Sequence, residues 1–186
     1  MIPLPEIKNK ILDLKRLIQA DQQSEIRLKA NGGNTILLVT PPEQEIDFIN
    51  KMFELLDENE YQIIDINQLL VSFVDQNKDE INKKFDLLKS SVQQIFKSPE
   101  GEDNNDFYHF LINRIKEAYQ NAKIPVLINT GALYGTGIEN IHIMESKTVM
   151  EASRPLVILY PATDTQEQLM FLNSRPASKY RCVILK

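Results

Sequence analysis

TILLVTPPEQEID, residues 35–47, decides the fold class. Its first six residues are a short apolar run with β-branched members, stopped by Pro41 and Pro42. A run with no polar side reads as a strand buried on both faces, and such strands belong to parallel sheets covered by helices. The cover follows at once, because Ile46, Ile49, Met52, Phe53 and Leu56 recur at helical spacing. Four later runs resemble the first: YQIIDI (61–66), IPVLIN (124–129), PLVILY (155–160) and YRCVIL (180–185).

Helical patterns fill the intervals. Ile7, Ile11, Leu14, Leu17 and Ile18 make an apolar stripe behind Pro3 and Pro5, where a missing N–H does least harm. That helix is predicted to run to the NGGN at 31–34, with Gly32 and Gly33 free to take the positive φ of a C-terminal cap. Ile81, Phe85, Leu88, Val92 and Ile95 give the cleanest helical period in the chain. SPEGEDNND (98–106) reads as a loop whose Asp103 or Asn104 caps the next helix, which carries Phe107, Leu111, Ile115 and Ala118 on one side. The apolar face of 138–152 is blurred. Strands alternating with helices predict one α/β domain over residues 1–186, with an N-terminal helix and three layers. Its sheet is expected to be mostly parallel and five-stranded, Rossmann-like or degenerate P-loop-like, with the strand order left open.

Bulk properties narrow the class. A chain of 186 residues suits a single core that buries roughly 70% of its unfolded surface. Hydrophobic residues at 42% and charged ones at 25% are ordinary for a folded protein. A net charge of −5 argues against direct nucleic-acid binding and against attraction to anionic lipid. No run approaches the roughly 20 apolar residues of a membrane span. The one cysteine, Cys182, and an N-terminus without a signal-peptide pattern fit a cytoplasmic protein.

In open α/β sheets ligands collect at the carboxyl ends of the strands, so the loops after Thr40, Ile66, Asn129 and Tyr160 are the places to look. The first occupies the position of a P-loop, yet TPPEQEID has no glycine and no lysine, and it carries Glu43 and Glu45. A phosphate cradle needs free backbone N–H donors and a cation. Two prolines remove donors and two acids repel the ligand, which argues against a Walker-type nucleotide site. The loop INTGALYGTG (128–137) lacks the G-x-G-x-x-G order, and no Lys or Arg lies between Asn129 and Ser146. Its glycines read as turn formers. His109 near Asp103 and Asp106 lacks the further ligands that a zinc site needs, and reads as part of a charged helix start. His142 stands alone, Cys182 reads as a small core hydrophobe, and no G-x-S-x-G elbow is present. Asp164 and Glu167 read as solvated loop acids. The residues predict no catalytic set, no metal site and no cofactor.

One resemblance adds to this reading, on residues 124–186. A strand ending in Thr130 and Gly131 leads to a turn with Leu133 and Tyr134; the next strand ends in Tyr160 and Pro161, and Tyr180 and Arg181 precede a closing apolar run at Val183. This succession resembles the BrxB family of BREX bacteriophage-defence systems. Members tend to carry a Pro-Phe-x-Arg-x-His run where this chain has Thr136 to Asn140, and glycine where it has Ala162. The resemblance implies a non-catalytic accessory protein. Its implied partner is the alkaline-phosphatase-like component of an assembly that also holds a DNA methyltransferase and an ATPase.

Two readings follow. An adaptor would present Tyr134, Tyr160 and Met170 within loops that include Thr130, Gly131, Gly135 and Pro161, although Tyr160 reads better as core. The alternative is a Rossmann-like ligand-binding domain or enzyme, which would need a pocket of a few hundred Å³ with convergent polar groups at the same loops.

Overall fold

The computed structural model of the chain describes residues 2–20, 24–89, 91–99, 105–165, 168–177 and 181–186. In chain order the elements are α1 (Leu4–Ala20), α2 (Ser24–Lys29), β1 (Thr35–Thr40), α3 (Glu45–Leu55), β2 (Tyr61–Asp65), α4 (Ile66–Gln76), α5 (Lys78–Leu87), α6 (Gln93–Phe96) and α7 (Phe107–Gln120). There follow β3 (Ile124–Ile128), α8 (Asn140–Met144), α9 (Lys147–Met150), β4 (Leu156–Asp164), β5 (Leu169–Phe171), β6 (Arg175–Pro176) and β7 (Val183–Leu185).

The main path of the sheet is β2-β3-β4-β1-β7, and every pair along it is parallel. Strand β4 lies between β1 and β3, so this Rossmann-like sheet departs from the 3-2-1-4-5-6 order of the dinucleotide-binding plan. All six residues of β1 are buried, as its uninterrupted apolar run requires. Alternate side chains go to opposite faces. Ile36 and Leu38 meet α1 and α3 through Ile11, Leu14, Phe48 and Met52. Leu37 and Val39 meet α4 and α7 through Phe73, Leu111 and Ile115. Helices therefore cover both faces, and Leu127 and Ile158 are fully buried at the centre.

Three junctions position the rest. Gly32 takes φ +89° after α2, with Asn31 at +49° before it. Gly33 serves a different purpose from the cap expected of it: a Cβ there would lie 1.9 Å from the Arg181 carbonyl oxygen. Asn34, only 4% exposed, donates from Nδ2 to the carbonyls of Val149, Ala152 and Arg154 at 2.9–3.0 Å. Arg27 adds bonds to Met150 O and Ala152 O at 2.8 and 2.9 Å. Together they satisfy carbonyls at and just beyond the end of α9, where the helix supplies few donors of its own.

Several expectations need correction. The clean period at 81–95 is broken between α5 and α6, because the chain turns there to bring Ile95 into the core. No residue of α5 is buried, and Phe85 and Leu87 face solvent. On α3 the buried face is Phe48, Ile49 and Met52, which leaves Ile46 and Phe53 outside. The cap of α7 is Asp106, whereas Asp103 and Asn104 lie outside the described residues. The region 138–152 forms two short helices. The strand at 155–160 does not end at Tyr160. It continues through Pro161 to Asp164, because β5, itself paired with β6, lies antiparallel against its second half. The final strand is shorter than expected and starts at Val183.

Candidate functional site

The carboxyl end of β1, where a P-loop would hold phosphate, is closed by the chain itself. Gln44 is 2% exposed and exchanges two bonds with the backbone of Ile2: the Ile2 N–H donates to Oε1 at 2.6 Å, and Nε2 donates to the Ile2 carbonyl at 2.9 Å. Beside it stands Glu45, whose Oε1 is buried without a hydrogen-bond partner among the described residues. Burial raises the Glu45 pKa; the approaching Asn129 backbone N–H opposes that shift, and the charge of Asp65 adds to it. Asp65 ends β2 and caps α4 through the N–H groups of Asn67 and Gln68 at 2.9 and 3.2 Å. Asn129, the residue after β3, takes the left-handed conformation, φ +57°. Carboxylates therefore gather where a phosphate would need donors and a cation. Among the described residues no group of three or more His, Cys, Asp and Glu side chains is arranged to hold a metal ion.

The glycine-rich loop and the β5–β6 hairpin meet at the neighbouring strand ends. A 3₁₀ turn over Thr130–Leu133 follows β3, and Gly135 and Gly137 take φ +86° and +79°. Those two angles account for the glycines as turn formers. The turn leaves Tyr134 58% exposed. Arg175 of β6 lies over its ring, with the guanidinium carbon 4.6 Å from the centroid, a cation–π contact. Arg175 makes no ion pair among the described residues. Beneath, Tyr160 is fully buried and stacks on Phe171 at 4.9 Å. Tyr134, Gly135, Asn140, Tyr160, Phe171 and Arg175 line one pocket of about 290 Å³. Asn140 is 5% exposed, and its Oδ1 has no hydrogen-bond partner among the described residues.

The structure thus brings together Tyr134, Gly135 and Tyr160 of the residues expected at a binding surface. It separates the others. Thr130 is fully buried, its Oγ1 donating to the Leu159 carbonyl at 3.4 Å. Gly131 faces Leu172, 3.5 Å from where a Cβ would stand. Pro161 is a buried strand residue opposite Thr40, and its carbonyl accepts from the Leu172 N–H at 2.9 Å. Met170 is half-buried inside β5, paired with Thr163 and Pro176. Phe171 and Arg175 were not singled out by sequence, since only the hairpin brings them to the loop. Comparison of the chain with protein-family models, curated proteins and solved structures finds no match.

Proposed function

We propose that the chain is a non-catalytic binding module of a BREX-type phage-defence assembly, docking on the alkaline-phosphatase-like component. The observation that carries this reading is the Tyr134–Arg175 pair, an exposed aromatic ring backed by a cation that has no acidic partner among the described residues. Tyr and Arg are the residue types that most often dominate protein interfaces, above all beside a pocket that can be emptied of water. The unburied apolar residues of α3 and α5, Ile46, Phe53, Phe85 and Leu87, further support a chain whose surface is made for contact. The resemblance in residues 124–186 names the partner. Co-expression with that component followed by affinity capture tests the reading: the two proteins should purify together, and their failure to do so rejects the proposed partner.

A second reading has its own observation, the 290 Å³ pocket with an Asn140 oxygen that has no partner among the described residues. A small-ligand domain would use that amide to orient a polar group below the two aromatic rings. It predicts a rise in melting temperature with some member of a metabolite panel, lost in Asn140→Leu. Docking predicts a complex with no added ligand.

A further inference from the structure

A larger pocket of about 690 Å³ lies on the other side of Gly137 and Gln93, which line both cavities. Its walls include Lys97, Tyr108, His109, His142 and Ser146. His109 and His142 are the only histidines in the chain. They start two different helices, each three residues after an acidic cap, and the fold brings both rings to one cavity.

Their hydrogen bonds fix opposite roles. Asp106 is 1% exposed, and its carboxylate accepts from the Ser98 N–H at 2.7 Å, the His109 N–H at 2.8 Å and His109 Nδ1 at 2.7 Å. A carboxylate cannot donate, so Nδ1 carries a proton, and in that tautomer Nε2 is the ring nitrogen left to accept. At His142 the arrangement is reversed. The Glu139 N–H donates to Nδ1 at 3.0 Å, so the proton sits on Nε2. Burial, and then the charge of Lys97, lowers the His142 pKa against the opposing charge of Glu139, and so favours the neutral ring. The Tyr108 hydroxyl donates to the His142 carbonyl at 2.9 Å and ties the two helix starts together. Lys97 lies over the Tyr108 ring at 6.0 Å and has no ion pair among the described residues.

We propose that this pocket binds a protonated oxyanion, hydrogen phosphate or a singly protonated phosphate monoester. Its acidic oxygens accept from Lys97 Nζ and His142 Nε2–H, while its own O–H donates to His109 Nε2. The exposed Glu145 at the mouth offsets the charge of Lys97, so attraction alone does not select the ligand. The hydrogen-bond pattern does. Sulfate has the charge and the shape of hydrogen phosphate but no O–H at neutral pH, and it would leave His109 Nε2 without a donor. The cavity has room for an organic remainder on the phosphate. This site shares no binding group with the Tyr134 surface and stands or falls independently of the docking proposal.

The test uses the full chain and its two histidine Hε1 proton resonances, assigned with His109→Gln. They are followed at pH 7 and constant ionic strength while inorganic phosphate, glycerol phosphate or sulfate is added. Phosphate should move both resonances saturably, with sulfate at least about tenfold weaker, a factor in keeping with one charge-assisted hydrogen bond. Lys97→Met, with the remaining spectrum unchanged, should weaken phosphate by a similar factor. Glycerol phosphate is compared at equal concentration of its singly protonated form, a minority at pH 7 because a monoester's second pKa is about 6. Binding as well as phosphate on that basis assigns the site to esters, and weaker binding assigns it to the free ion. No saturable shift, equal binding of sulfate, or a Lys97→Met protein that binds phosphate like its parent overturns the proposal.

Discussion

Arg175 holds its guanidinium over the ring of Tyr134, 4.6 Å from the centroid, and so joins the glycine-rich loop to the β5–β6 hairpin. Both side chains are exposed, and an exposed cation–π contact contributes only about 0.5–1 kcal/mol. Tyr134→Ala should therefore leave the denaturant midpoint nearly unchanged, with a loss of no more than about 1 kcal/mol. A loss several times larger in urea melts would show that Tyr134 serves the fold, and would remove it from the binding surface.

Asn34 predicts the opposite. Its Nδ2 serves three carbonyls in a site that is 4% exposed, so Asn34→Ala should cost roughly 2–3 kcal/mol. Asn34→Asp has nearly the same shape but cannot donate to those carbonyls. At neutral pH it should cost at least as much as the alanine change. A well-tolerated aspartate would contradict the bonding described.

Leu127 and Ile158 sit opposite each other on β3 and β4, both fully buried. Leu127→Ala and Ile158→Ala should each cost roughly 2–5 kcal/mol in denaturant melts. A loss below about 1 kcal/mol would place these strands outside the core.

These contrasts bear on what the sequence discloses. β1 was legible because all six of its residues are buried and the four between its terminal threonines, Ile36 to Val39, are apolar. The hairpin was not legible. Strands of three and two residues leave no period to detect, and Pro161 reads as a stop although its carbonyl still accepts a bond. α5 misled for another reason. A helical period reports an apolar stripe, but whether the chain covers that stripe depends on where the next turn sends it. The approach of Arg175 to Tyr134 and the placing of His109 and His142 on one cavity are products of topology, and neither leaves a local trace in the sequence.

Glu45 carries the pH prediction. Its pKa in the folded chain is raised above the ordinary 4.5, chiefly by burial, so the native state prefers the protonated form. Ionisation then costs stability; the cost is absent below the unfolded value, grows as pH rises to the folded value, and is constant above it. Glu45→Gln keeps an acceptor for the Asn129 N–H and carries no charge. Its stability relative to the parent should rise between about pH 4 and pH 7, and a fall over that interval would reverse the assignment. The same carboxylate opposes any phosphate at this end of the sheet. Calorimetric titration with Mg²⁺ and ATP or GTP should show no saturable heat, and one-to-one binding would contradict the closed strand end.

The central claim is tested most directly by the dissociation constant between this chain and the alkaline-phosphatase-like BREX component, measured for the parent and for Tyr134→Ala. The account predicts a saturable complex that the substitution weakens about thirtyfold or more, the effect of losing an interface anchor worth about 2 kcal/mol. No binding at tens of micromolar, or a Tyr134→Ala protein that binds as tightly as the parent, would contradict it.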